Sequence, residues 1–133
     1  MLWIKKVFGH QHGQALVEMA LVLPLLLLLL FGIFEFGRIM GSYMLISNLS
    51  REGARYGVVG HDDTQIQALI LSRRTWLDEA QLSVVVSPPY VDRDKGEALN
   101  VGVNYSLNLM TPIFAEILPN PVLLSTECTM RVE

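Results

Sequence analysis

The segment from Gly13 to Gly41, GQALVEMALVLPLLLLLLFGIFEFGRIMG, limits what this chain can fold into more than any other part of it. From Met19 to Phe34 it carries no charged side chain, and Leu25 to Leu30 is unbroken leucine. A core helix of a small soluble domain needs one apolar face, whereas this stretch is apolar on all sides. About 20 apolar residues cross a bilayer as a helix. Ala15–Phe36 supplies that length, provided that Glu18 and Glu35 sit near its two ends. Pro24 lies within the run, where it removes one helical hydrogen bond and favours a kink that a membrane helix can accommodate. Everything beyond is then held at a membrane or delivered through one.

At 133 residues the chain has room for one small domain besides this segment. Its net charge of -3 is unevenly placed: residues 1–55 carry five basic and three acidic side chains, and residues 56–133 five basic and ten acidic. An acidic distal part without a Lys/Arg stripe or interleaved aromatics suits no phosphate backbone, so nucleic acid is not an expected partner. Lys5 and Lys6 in the head, Met1–Gly13, form a signal n-region or a cytoplasmic flank. A secretory signal would end at small residues after the apolar run, but FGIFEFGRIMGSYM offers no such site, so the segment is expected to stay. Arg38, Arg51 and Arg55 nearly balance Lys5, Lys6 and the amino terminus, and charge alone leaves the orientation open.

Beyond Phe34 the helix is expected to continue into water. Glu35–Val59 contains no proline, and Phe36, Met40, Tyr43, Ser47, Ser50, Ala54 and Gly57 recur at helical spacing as the expected packing stripe. Gly37/Gly41 and Gly53/Gly57 are small-xxx-small pairs that would let another backbone approach closely, and Gly57 and Gly60 supply a helix end. Asp63 or Thr64 is expected to cap a second, amphipathic helix of about four turns bearing Ile66, Leu69, Ile70, Arg73, Trp76, Leu77 and Ala80 on one face. The period then changes to two. Leu82–Ser87 is a β-branched strand stopped by Pro88 and Pro89, and Leu99, Val101, Val103, Tyr105 and Leu107 alternate with polar or small neighbours. Leu124, Thr126, Cys128, Met130 and Val132 alternate likewise, and Met110–Pro121 between them has room for a short helix or loop. The fold class is therefore α+β: a long N-terminal helix, one amphipathic helix and three strands expected to pair antiparallel with one face on helix.

No catalytic constellation emerges, and neither an enzyme, a cofactor nor a metal is expected. His10 and His12 form a pair without further ligands. Cys128 has apolar neighbours on its strand face and no histidine close in sequence, which fits a small packed residue. Asp92-Arg93-Asp94-Lys95-Gly96 places oxygen ligands at alternate positions, but it lacks the third ligand and the closing glutamate of a calcium loop, and it reads as a solvated turn. Glu18 is different. A carboxylate in an apolar span costs several kcal/mol, about 3 on the insertion scale, unless it reaches the interface, is protonated or is paired. If the chain were cut after Gly13, Gln14 would open the helix with a cationic amine four residues before that acid.

Gly13-Gln14-Ala15-Leu16-Val17-Glu18 before a hydrophobic run resembles the processing site of type IV prepilins of the Flp class. Together with Asn48-Leu49-Ser50-Arg51-Glu52-Gly53-Ala54-Arg55-Tyr56, the segment GQALVEMALVLPLLLLLLFGIFEFGR resembles the TadE-like pseudopilins of tight-adherence (Tad/Flp) pilus systems. The resemblance implies a pilin-like protein of the bacterial inner membrane with its N-terminus cytoplasmic, acting in pilus assembly or secretion beside other pilin-like subunits. It implies a prepilin peptidase as partner, with Gly13 and Gln14 flanking the scissile bond and Glu18 as the recognition or assembly acid. Met19 departs from the aromatic that follows the acid in Flp-type prepilins. The expected organisation is a leader at 1–13, a transmembrane helix at 14–36, its extension at 37–60 and an extracytoplasmic α+β domain at 61–133, with Gly37, Gly41, Gly53 and Gly57 as helix-packing positions. The alternative is an uncleaved, membrane-tethered binding or adaptor module acting through its outer domain.

Overall fold

One helix, α1, runs from Gln11 to Val58 and passes through Pro24 without a break. The computed structural model describes residues 11–133; Met1–His10, with Lys5, Lys6 and the first member of the histidine pair, lie outside the described residues, as does the side chain of His12. The helix lives in two environments. Every residue from Gly13 to Phe31 is exposed, and its most apolar 18-residue window has a mean hydropathy of 2.7 with none of it buried. It is long and apolar enough to cross a membrane. From Glu35 onward one side of it becomes the wall of a domain.

That wall differs from the expected stripe. Glu35, Ser42, Ile46, Leu49, Ser50, Gly53, Ala54, Gly57 and Val58 point inward, whereas Phe36, Met40 and Tyr43 face outward; of the expected positions Ser50, Ala54 and Gly57 are buried and Ser47 is half-buried. Spacing identified a helix but misjudged its face, because the inward face is chosen for small volume as much as for apolarity. Gly53 and Gly57 lie directly under side chains of the sheet and the next helix. A Cβ on Gly57 would come within 2.5 Å of Leu99 Cδ2 and 2.7 Å of Ile66 Cδ1, and one on Gly53 within 2.8 Å of Ile70 Cδ1. Gly60 then ends the turn at φ +99°, a left-handed conformation that a side chain would disfavour.

Helix α2 spans Asp63–Ser72 and is shorter than the four turns expected. Its N-cap is Asp62 rather than Asp63 or Thr64. The Asp62 carboxylate accepts from the Gln65 N–H at 2.8 Å while the Gln65 side chain accepts from the Asp62 N–H at 3.2 Å, a reciprocal capping box. The Thr64 hydroxyl, first, and the Gln65 N–H hold the Asp62 carboxyl below its ordinary value of 3.8. The cap is therefore fully present above that ordinary value and is lost as pH falls through the lowered one. After Arg73 the chain turns at Thr75, φ +56°, so that Leu77 enters the core and Trp76 comes to lie 3.8 Å from the Cβ position of Gly41. Asp78 accepts from the Ala80 N–H at 3.1 Å, a local bond that offers the backbone an alternative to further helix.

Three antiparallel strands follow: β1 Leu82–Ser87, β2 Ala98–Leu107 and β3 Val122–Arg131, in the order β1-β2-β3. The register pairs Leu82 with Tyr105 and Ser87 with Asn100 on one side of β2, and Ala98 with Arg131 and Leu107 with Val122 on the other. Leu99, Val101, Val103, Tyr105 and Leu107 all bury against Ile46, Leu49, Ala54, Val58, Ile66, Ile70 and Leu77. The opposite face is polar: Ser125 Oγ donates to Asn104 Oδ1 at 2.6 Å, and Asn100 Nδ2 donates to Glu127 at 3.3 Å. This one-sided alternation is what an antiparallel sheet with one wet face requires. Between β2 and β3 a short helix, α3, spans Pro112–Ile117. Cys128 is half-buried on the inner face as a free thiol packed on the core.

Gly57→Val adds volume where no space exists and is expected to cost about 3 kcal/mol, the upper part of the range for overpacking. Gly37→Ala, with nothing within 4 Å of its Cβ position, should instead gain up to about 1 kcal/mol through helix propensity. Urea unfolding of the two variants in detergent measures both.

Candidate functional site

The two strands flanking α3 return along α1, and their spacing sets the site. Contacts pair Gly57 with Leu99, Gly53 with Val101 and Arg38 with Asn108, so β2 runs antiparallel to the helix beside it. Nineteen helical residues rise about 28 Å, and nine strand residues span about 30 Å. The lengths match, and the loop leaving β2 arrives where the apolar half of α1 ends.

Glu35 receives that loop. Its side chain is 3 % exposed, and three partners surround its carboxylate: Arg38 Nη1 donates at 2.8 Å, the Met110 N–H at 3.3 Å and the Thr111 hydroxyl at 3.2 Å. Arg38 Nη2 also donates to the Asn108 carbonyl at 3.4 Å. The Leu109 N–H donates to Asn120 Oδ1 at 3.1 Å. A buried carboxylate is tolerated when its charge is paired and its oxygens are hydrogen-bonded, and here both hold. The sequence alone placed Glu35 only as a tolerated acid at the end of an apolar run. The signal for its role was present in the Glu35-x-x-Arg38 spacing, which puts an ion pair on one side of a helix, but the loop it holds is 75 residues away in sequence.

Beside this clasp an open cleft of about 500 Å³ is lined by Ile33, Phe34, Gly37, Arg38, Gly41, Ser42, Trp76, Tyr105 and Leu107. Beyond the helix's own backbone, the Cβ position of Gly37 has no neighbour within 4 Å and that of Gly41 only Trp76. The four glycines singled out by spacing thus divide: Gly53 and Gly57 seat the chain's own core, while Gly37 and Gly41 line a groove open to another molecule. Outward from it, Phe36, Met40, Tyr43 and Met44 leave an apolar ridge on α1 exposed.

The residues expected to be recognised at the other end of α1 stand together. Gly13 lies in the first turn of the described helix, with nothing near its Cβ position. Gln14 Nε2 donates to Glu18 Oε1 at 3.3 Å across one exposed turn. Glu18 is exposed. Among the described residues no three His, Cys, Asp or Glu side chains group as a metal set.

The Asp92–Gly96 turn has a structural use that its sequence concealed. Arg93 is the buried member: its side chain is 3 % exposed, pairs with Asp63, and donates to the His61 carbonyl at 2.9 Å and the Pro88 carbonyl at 3.1 Å. The Tyr90 N–H donates to Asp63 at 3.2 Å, so the β1–β2 connection is tied to the start of α2. Gly96 closes the turn at φ +85°.

Comparison with known protein families bears on the helix that carries both ends of this site. Residues 13–55 match the family model described as TadE-like protein. Across that segment the chain is similar to TadE-like proteins. The match covers about a third of the 133 residues, begins at Gly13 and ends at Arg55, three residues before α1 does. The matched segment contains Gly13, Gln14, Glu18, Glu35 and Arg38 and stops short of α2 and the sheet. No curated protein and no solved structure matches the chain.

Removing Glu35 leaves Arg38 and two loop donors without their acceptor. Loss of one member of a buried pair costs about 3–5 kcal/mol; with Arg38 28 % exposed, Glu35→Ala should fall at the lower end. Glu35→Gln, which keeps an acceptor but loses the charge, should cost about half as much, near the value of one charge-assisted bond. The shift of the urea midpoint for the two variants checks the order.

Proposed function

We infer that this chain is a bitopic, pilin-like assembly protein of a Tad-type pilus or a related secretion apparatus, anchored in the bacterial inner membrane with its α+β domain outside the cytoplasm. The observation that carries the reading is the continuity of α1: one 48-residue helix is apolar and exposed in its first half and forms the wall of a folded domain in its second. Such a helix can pack beside others in lipid while presenting a domain at a fixed position above it. The TadE-like match over residues 13–55 supports the same reading, since it follows the helix and not the domain.

In this account the exposed apolar surface of Gly13–Phe31 is solvated by lipid and by neighbouring helices. A prepilin peptidase cuts between Gly13 and Gln14, and the new amine of one subunit meets the Glu18 carboxylate of another. Pairing removes the cost of an isolated charge in an apolar phase, about 3 kcal/mol on the insertion scale, and so favours lateral assembly. The groove along Gly37 and Gly41 receives a neighbouring helix just outside the bilayer. Its role is assembly rather than catalysis.

Mass spectrometry of the protein purified from cells with and without the peptidase tests the processing step. Gln14 as first residue, only when the peptidase is present, is the expected result. An intact Met1 in both strains instead supports an uncleaved, tethered adaptor. Gly13→Ala should retain the leader, whereas Glu18→Ala should leave the cut in place and reduce pilus production, read as sheared filament per cell.

A further inference from the structure

Phe114 of α3 packs on α1 inside the apolar segment. Its ring Cζ lies 3.2 Å from the Cβ position of Gly32, and Leu28, Leu29, Ile33 and Phe36 complete the surrounding patch. Around Phe114 the α3 segment turns a set of large apolar side chains to the outside: Met110 is 70 % exposed, Ile113 52 %, Ile117 73 % and Leu118 43 %. Resting on the reading of α1 as a membrane span, we propose that α3 and its flanks are a lipid-binding foot, seated in the headgroup and upper acyl region of the outer leaflet.

Depth supports the choice of lipid over another protein. Gly32 is four residues inside Phe36, the end of the apolar run, which places the Phe114 contact about 6 Å below that boundary at the helical rise. Amphipathic interfacial segments bury their apolar side about 5–10 Å into the same zone. The patch is continuous with Leu28 and Leu29, which must be in lipid if α1 spans at all. From Leu109 to Leu123 the only charged side chain is Glu116, and it is exposed.

Part of the backbone is already satisfied within the chain. A segment at the edge of hydrocarbon needs its polar groups satisfied internally. Pro112, Pro119 and Pro121 have no N–H to satisfy. The Leu109 N–H is taken by Asn120, the Met110 N–H by Glu35, the Ala115 N–H by the Thr111 carbonyl at 3.2 Å and the Leu118 N–H by the Phe114 carbonyl at 2.8 Å. The clasp at Glu35 thereby fixes the height of the foot on the helix.

The test places an NBD fluorophore on single cysteines of the full chain in lipid nanodiscs, with Cys128→Ser as background and Ile113→Cys, Ile117→Cys, Leu27→Cys and Thr129→Cys as sites. Thr129 is exposed on the polar face of the sheet and reports water; Leu27 reports the span. With lipids carrying a doxyl group near the glycerol, labels at 113 and 117 should lose most of their fluorescence and resist aqueous iodide, while the label at 129 does the reverse. Labels at 113 and 117 that behave like the one at 129 while the label at 27 is quenched by lipid overturn the foot and leave the span intact. Labels at 113 and 117 shielded from both quenchers also overturn it, since a protein then covers the surface. A label at 27 that is open to iodide overturns the span and the foot together.

Discussion

The fold depends on one change of surroundings along a single helix. From Gly13 to Phe31 every residue of α1 is exposed, and from Glu35 its inner side is covered by β2, β3 and α2. The changeover takes fewer than two turns, from Gly32 under Phe114 to Arg38 beside Asn108. Within it sits the one fully buried acid of the helix, held by a guanidinium, an amide and a hydroxyl. A carboxylate there would be unfavourable in either phase alone. In lipid it would be unpaired, and in a core it would be desolvated; at the junction the returning loop gives it partners.

Other features follow from that fixed point. Because β2 returns antiparallel to α1 over a matching length, the loop reaches Glu35 while the last residue of the chain reaches the far end, where the Glu133 N–H donates to the Val58 carbonyl at 3.2 Å. The sheet is thus held to the helix at both ends and packed along the middle. Close packing in that middle needs room, which Gly53 and Gly57 provide by letting Ile66, Ile70, Leu99 and Val101 approach the helix backbone. Two surface ion pairs, Glu52–Arg73 and Glu79–Arg74, lie largely in solvent and contribute little.

Much of this architecture is legible in the residues. The apolar run and the period-two strands at Leu82–Ser87 and Leu99–Leu107 appear where composition and spacing put them, because each is specified by local chemistry; between β2 and β3, where the prolines leave room for a short helix or a loop, the chain forms the helix. What sequence could not give was set by distant partners. The inward face of α1 was misjudged since Glu35 and Ser42 are buried by a loop and a sheet that spacing cannot locate, while Phe36, Met40 and Tyr43 are left outside. The second helix is shorter than its apolar period suggests, because Trp76 and Leu77 fit that period and only the turn at Thr75 sends them to different places. Of the candidate site, Gly13, Gln14 and Glu18 were visible as a motif, and Gly37 and Gly41 as spacing; Glu35, Arg38 and Arg93 act through contacts with chain far away.

The central claim is that α1 passes from lipid to domain as one uninterrupted helix, without a hinge at Gly37 or Gly41. Hydrogen exchange of the backbone amides of the full chain in lipid nanodiscs tests it most directly. Continuous slow exchange from Ile33 through Ser50 is the expected result. Fast exchange confined to Phe36–Ser42, between protected segments on either side, would contradict it.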